Sequence, residues 1–229
     1  WLKSILDYYL FVVTVYRRKT ADLQIISYLL PNKRRFRTCL FLDADGVLWP
    51  ENGTGEVLRG VSITQDARNF VSKFINTFGH QSRVIVITNQ TSAARNEVTV
   101  EQLVTELKRS IVTRLKEVTA IYSCFHHPHA DNPQLRMDCS CRKPHSGLFF
   151  DAQHDYKLHI PSSVMVGDRI TDMQAAAGAG VKHLFIIAND KMFTLNELST
   201  TPDETPSSIP FFVVNVLDEV VTKMQDVLN

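Results

Sequence analysis

Thr38-Cys39-Leu40-Phe41-Leu42-Asp43-Ala44-Asp45-Gly46-Val47-Leu48-Trp49 is the stretch on which the fold turns. Cys39 to Leu42 form a short apolar run, the length of a buried strand rather than a helix. The run leads directly into two carboxylates two residues apart. Gly46 permits a tight bend there, so both can face one pocket. A carboxylate in such a place can attack phosphorus and form an aspartyl-phosphate, which is the role read for Asp43. Asp45 can protonate the leaving oxygen and then activate water for the second step. A turn with two solvated aspartates would carry the same letters, so the rest of the chain has to decide.

Outward from this stretch, buried runs alternate with amphipathic ones. Residues 49–60, with Pro50, Gly53, Gly55 and Gly60, read as a loop. Residues 64–78 predict a helix with Ala67, Phe70, Val71, Phe74 and Phe78 on one face. Val84 to Ile87 is a second strand, closed by Thr88-Asn89-Gln90. Thr99 to Lys116 predicts a helix capped by Thr99, with Leu103, Leu107, Ile111 and Leu115 inward. Ala120–Ser123 is a third strand, and a polar loop runs from Cys124 to Pro144. Ser146–Tyr156 predicts a helix, Val164–Val166 a fourth strand, Thr171–Gly178 a short helix and His183–Ile187 a fifth strand. Residues 199–210 read as a loop. Val213 to Leu228 predicts a closing helix with Val216, Leu217, Val220 and Val221 inward.

Such alternation predicts an α/β, Rossmann-like three-layer sandwich: a parallel sheet covered on both faces. Ligands in these sheets sit beyond the carboxyl ends of the strands. Every polar signal in this chain falls at such an end. Thr88, Asn89 and Gln90 supply a hydroxyl and amides for phosphoryl oxygens. Arg142 and Lys143 supply cations for developing negative charge. Asp168, after the fourth strand, can hold Mg²⁺, which takes one or two carboxylates plus phosphate and water. Asp172 is spaced to support Lys143 or the metal shell. Each alone has a bland reading as a turn, a cap or a solvated cation; four in this order do not.

Cys124-Phe125-His126 is followed by twelve residues and then Cys139-Ser140-Cys141. Two close pairs of this composition suit tetrahedral structural zinc. The loop has few large apolar residues to order it by burial, and zinc would place Arg142-Lys143. His127 and His129 are alternatives to His126 as the nitrogen ligand.

The chain resembles the haloacid dehalogenase superfamily, whose four motifs are matched by Asp43/Asp45, Thr88, Lys143 and Asp168/Asp172 over roughly residues 38–190. Within it, Cys124-Phe125-His126-His127-Pro128 and Cys139-Ser140-Cys141-Arg142-Lys143-Pro144 resemble the D-glycero-D-manno-heptose-1,7-bisphosphate 7-phosphatase family. The related histidinol-phosphate phosphatases usually have a shorter loop. The resemblance implies a Mg-dependent phosphoric monoester hydrolase acting on a sugar bisphosphate-like metabolite, with a minimal cap. It implies magnesium on Asp43, the Asp45 carbonyl and Asp168, and zinc on Cys124, His126, Cys139 and Cys141. It also implies substrate binding by Asn89, Gln90, Arg142 and Arg169. The chain departs from the family pattern at Ala44, Asn96, Arg169 and Leu48-Trp49-Pro50-Glu51, around the expected leaving group.

The bulk properties fit one domain with an appendage. The 229 residues are 44% hydrophobic and 21% charged, with a net charge of +1. No global basic excess argues for nucleic acid, so substrate charge must be met locally. Four cysteines, three of them grouped with histidines, favour metal over disulfide chemistry and a reducing, intracellular compartment, cytoplasmic or mitochondrial. Residues 1–37 are basic and apolar and read as a helical extension with the domain boundary near Arg37. This extension could dock on protein or a membrane surface; otherwise a monomer is expected. The chain begins at Trp1, as a processed form or a piece of a longer protein would. Two further readings stand beside the sugar phosphatase: a non-enzymatic phosphatase-fold subunit docked through residues 1–37, and a histidinol-phosphate or polynucleotide 3′-phosphatase.

Overall fold

The structure, a computed structural model, describes the backbone of residues 13–19 and 22–29 together with residues 38–50, 61–79, 82–188 and 209–228. Val13–Lys19 (β1) and Asp22–Leu29 (β2) pair antiparallel. The helix pair expected within residues 1–37 is therefore corrected to a β-hairpin. Val13, Thr14, Val15 and Tyr16, then Ile25, Ile26 and Tyr28, are β-branched or aromatic and favour a pleated backbone. Only two residues separate the strands, a hairpin spacing. The boundary near Arg37 and most of the 49–60 and 199–210 loops lie outside the described residues.

Cys39–Leu42 (β3), Arg83–Asn89 (β4), Val118–Cys124 (β5), Val164–Gly167 (β6), His183–Ile187 (β7) and Phe212–Val214 (β8) form one sheet in the order β5-β4-β3-β6-β7-β8. Every pairing in it is parallel. Chain order grows one way from β3, through β4 to β5, and then returns to its other side with β6. The switch in strand order thus flanks β3, and the carboxyl ends there are where a doubly wound sheet binds its ligand.

Gln65–Phe78 (α1) begins at Thr64, whose side chain accepts from the Ala67 amide at 3.1 Å. It buries Ala67, Phe70, Val71 and Phe74, and each phenylalanine so buried contributes about 1.5–3 kcal/mol. Val100–Leu107 (α2) starts with a capping box between Thr99 and Gln102. It widens into a π-turn over Lys108–Val112, ending regular helix earlier than the expected Lys116. Gly147–Tyr156 (α3) and Ile170–Ala179 (α4) lie where the periodicity put them. Leu217–Leu228 (α5) is shorter than expected, because the chain first pairs Phe212–Val214 with β7 as a sixth strand. Four apolar letters, Phe211 to Val214, do not separate a strand from a helix start. Leu217, Val220 and Val221 are buried, but Val216, expected inward, is exposed.

The two sheet faces carry separate cores. Leu40, Leu42, Val84 and Val86 pack with α1, α2 and α5 on one side. Phe41, Ile85, Ile87 and Met165 pack with α3 and α4 on the other. This alternation along each strand is what fixes which side chains reach the same end of the sheet.

Candidate active site

Asp43 follows β3 directly, its amide donating to the Val166 carbonyl of neighbouring β6 at 3.0 Å. That bond extends the ladder one step and delivers the carboxylate to the sheet's carboxyl edge beside Asp168, which follows β6. Gly46 has a φ of +79°, where a side chain would be strained, and a Cβ there would collide with the Asp168 carboxylate. The turn has to be glycine for Asp168 to approach.

Lys143 is the centre of the electrostatics. Its ammonium is buried and donates to Asp43 Oδ1 at 2.8 Å, Asp172 Oδ1 at 2.6 Å and the Ile87 carbonyl at 2.9 Å. Burial alone would lower its pKa, but the carboxylates of Asp172 and Asp43 outweigh it and hold it above the ordinary lysine range. Burial pushes the Asp172 carboxyl upward against the pull of Lys143. The position of Lys143 is set by Asn89 at the end of β4, whose amide accepts from Lys143 N and donates to Lys143 O, both at 3.1 Å. The Lys143–Pro144 peptide is cis.

Asp45 is held on both oxygens. Trp49 Nε1 donates to Oδ1 at 2.8 Å and Gln90 Nε2 to Oδ2 at 2.7 Å. Gln90 also donates to Thr88 Oγ1 at 3.1 Å. Burial first, then the neighbouring Asp43 charge, push Asp45 up to about 6, against the hydrogen bonds from Trp49 and Gln90. A carboxyl near neutrality is suited to giving and taking a proton.

Asp43, Asp168 and Asp172 are buried, and each offers an oxygen within 4.8 Å of the others. Three carboxylates face one ammonium, an excess of buried negative charge that a hard divalent cation would balance. The donors are all oxygen, as magnesium requires, so the residues fit that ion.

Cys124, His126, Cys139 and Cys141 also converge. The sulfur separations are 3.7 Å (Cys124–Cys139), 3.2 Å (Cys124–Cys141) and 3.3 Å (Cys139–Cys141). His126 Nδ1 is 3.8 Å from Cys124 Sγ and 3.3 Å from Cys141 Sγ. A tetrahedral zinc has ligand edges of roughly 3.5–3.8 Å, whereas a disulfide needs about 2.05 Å. Hydrogen bonds from Cys124 and Cys141 hold Cys139 well below the usual thiol range; Cys139 in turn is the main reason Cys124 is pushed up to about 12, and Cys124 and Cys139 push Cys141 higher still. The donor set therefore fits zinc, and His126, not His127 or His129, is the histidine that joins it.

The sequence-predicted residues come together, with some change of employment. Asp43, Asp45, Thr88, Lys143, Asp168 and Asp172 meet at one end of the sheet. Asn89 and Gln90, expected on substrate, spend their side-chain amides on Lys143 and on Asp45 and Thr88. Arg142 is anchored by Nη1 on the His126 carbonyl at 3.2 Å, and Arg169 lies exposed next to Asp168. Burial, then Arg142, His129 and Arg95, hold His127 below its usual range, so local positive charge gathers on this loop. Trp49 was missed as a site residue. Its only signal was an indole donor four residues beyond Asp45 in a Gly-containing turn.

Residues 140–219 match the family model of HAD-hydrolase-like proteins. The D-glycero-beta-D-manno-heptose-1,7-bisphosphate 7-phosphatase of Escherichia coli O6:H1 is 32% identical over 162 residues, spanning 68% of this chain and 82% of that protein. The D-glycero-alpha-D-manno-heptose-1,7-bisphosphate 7-phosphatase of Photorhabdus laumondii is also 32% identical, over 150 residues covering 64% of this chain and 80% of that protein. The crystal structure of D,D-heptose 1,7-bisphosphate phosphatase from B. bronchiseptica, complexed with magnesium and phosphate, superimposes with a TM-score of 0.60 at 23% identity. The superposition covers 82% of this chain and 99% of that one.

Fold and site together define a phosphatase of the haloacid dehalogenase type, a phosphoric monoester hydrolase. Within that superfamily, the chain belongs to the family of the heptose-1,7-bisphosphate 7-phosphatases.

Proposed function

We propose that this protein removes the terminal phosphate of a D-glycero-D-manno-heptose 1,7-bisphosphate or a closely similar sugar bisphosphate, with Asp43 as nucleophile. The observation that carries this is the Lys143 ammonium bridging Asp43 and Asp172 beside Asp168, at the strand-order switch of the sheet. An Asp43 oxygen attacks phosphorus, and the bond to the sugar oxygen breaks. Asp45, as the carboxylic acid, gives its proton to that oxygen. Asp45 then takes a proton from water, which attacks the phosphorus and returns Asp43 as a carboxylate, releasing inorganic phosphate. Lys143 and the Thr88 hydroxyl hold the phosphoryl oxygens. Asp43, the Asp45 carbonyl and Asp168 would hold Mg²⁺, which supplies charge neutralisation to the phosphoryl group. Zinc on Cys124, His126, Cys139 and Cys141 would be structural. The positive charge of Arg142, next to Lys143, and of Arg169, next to Asp168, supports a substrate with a second anionic group.

The test is phosphate release, with magnesium, from the alpha and beta heptose 1,7-bisphosphates, fructose 1,6-bisphosphate, histidinol phosphate and a 3′-phosphorylated DNA strand. One or both heptose bisphosphates should lead by at least tenfold in kcat/KM, and Asp43→Asn should abolish turnover. Preference for histidinol phosphate or DNA would overturn the substrate assignment. Equal turnover by Asp43→Asn and parent would overturn Asp43 as the nucleophile, and no turnover of any substrate by the parent would leave a non-catalytic role.

A further inference from the structure

The acid/base carboxylate is gripped by two unlike donors. Asp45 Oδ1 receives Trp49 Nε1 at 2.8 Å, and Oδ2 receives Gln90 Nε2 at 2.7 Å. Trp49 is 1% exposed and belongs to the same buried core as Ala44, Val47, Leu48 and Ile63. Its backbone is tied into the same turn: Gly46 N donates to the Trp49 carbonyl at 2.8 Å, and Asp45 and Trp49 form a β-bridge. The indole is rigid and has a single N–H, so it offers Oδ1 one fixed direction. Gln90 is different. Its amide has two hydrogens on a flexible stem, and it already donates to Thr88 Oγ1 at 3.1 Å. It can release Oδ2 and stay anchored.

We propose that Trp49 is a positioning residue that pins Oδ1 of Asp45, leaving Oδ2 as the oxygen that exchanges the proton with the leaving group and with water. This rests on the reading of Asp45 as acid/base. In the first step the Asp45 Oδ2–H bond breaks as the sugar oxygen gains the proton, while the P–O bond to the sugar breaks and the Asp43–phosphorus bond forms. In the second step Oδ2 regains a proton from water as the Asp43–phosphorus bond breaks. Throughout, Trp49 keeps Oδ1 in place, while Gln90 releases Oδ2 for the transfer and stays anchored on Thr88, the hydroxyl placed to hold the phosphoryl group. An indole at this position therefore replaces solvent as the orienting partner of the proton carrier.

The experiment compares the parent protein with Trp49→Phe and with Trp49 replaced by benzothienylalanine, which keeps the indole shape but has sulfur where the N–H was. Leaving-group release is followed in single turnovers with a sugar phosphate, a poor leaving group that needs its proton, and 4-nitrophenyl phosphate, a good one that does not. Both variants should lose about 10- to 100-fold on the sugar phosphate, with substrate half-saturation within about twofold of the parent, and less than about threefold on 4-nitrophenyl phosphate. If benzothienylalanine leaves the parent rates intact, the N–H is not what matters and the proposal is overturned. Equal losses on both leaving groups overturn it too, since a packing defect acts on both alike. An active Asp43→Asn protein would instead sink the phosphatase reading beneath it; an inactive one beside parent-like benzothienylalanine sinks the pinning alone.

Discussion

At the scale of single residues, Lys143 carries a charge into the protein interior and survives there because two carboxylates and a carbonyl surround it. Removing it leaves Asp43 and Asp172 buried and facing each other, the situation in which breaking an ion pair costs about 3–5 kcal/mol. Lys143→Met should therefore lower the unfolding free energy by roughly that amount as well as abolish turnover, read by denaturant titration and phosphate release. Lys143→Met combined with Asp172→Leu should recover much of the stability and none of the activity; recovery of neither would show that the triad is not the source of the loss. Gly46 makes an independent claim. Alanine there must adopt a φ near +79° and collide with the Asp168 carboxylate. Strain of this kind costs about 1–3 kcal/mol. Gly46→Ala should melt several degrees lower and lose magnesium-dependent turnover by at least a hundredfold. Parent-like magnesium activation in that variant would mean Asp168 does not belong to the site. Asp43 and Asp168 were readable as chemistry because each directly follows a buried strand. Asp172 was expected to support Lys143 or the metal shell, and it does reach Lys143; the contact of Lys143 with Asp43 was not readable, since the two are a hundred positions apart in the chain.

The elements show where local pattern suffices and where it fails. α1 was legible to within a residue: the apolar repeat of Ala67, Phe70, Val71 and Phe74 placed it over 64–78, and the structure starts it at Gln65 with Thr64 as its cap. Thr64→Ala should cost about 1 kcal/mol with no change in turnover, measured by chemical denaturation. β8 and the β1–β2 hairpin were not legible, because short apolar runs satisfy both periods and only a partner strand decides between them. The cysteine loop carries the longest chain of dependence toward the site. It has few apolar anchors, and it leads straight into Arg142-Lys143. Metal analysis should find one zinc per parent chain, and Cys141→Ser should lose it, with turnover falling alongside. A parent free of zinc after purification without chelators would refute the loop assignment. Arg142 is tied to the His126 carbonyl, and Asn89 to both polar atoms of the Lys143 backbone. The loop is thus tied both beside the cysteine cluster and to the sheet.

For the molecule as a whole, the two cores on either face of the six-stranded sheet are built, among the described residues, from Cys39 onward. We propose that residues 38–229 form the phosphatase domain on their own, as the composition break near Arg37 suggested. The chain shortened to these residues should unfold cooperatively and retain turnover within a fewfold of the parent; an aggregating or inactive product would make the hairpin part of the domain. Among the described residues no helix is long and apolar enough to cross a membrane. The sequence by itself determined the alternation of strands and helices, the residue chemistry at each strand end and the donor types for two metals. All of these are encoded within a few consecutive positions, by periodicity and by what directly follows a buried run. Only the tertiary structure decided that Asn89 serves Lys143, that Trp49 and Gln90 share Asp45, and that a sixth strand closes the sheet edge. Those depend on which distant segments lie side by side, and contacts across long chain separations leave no period in the letters.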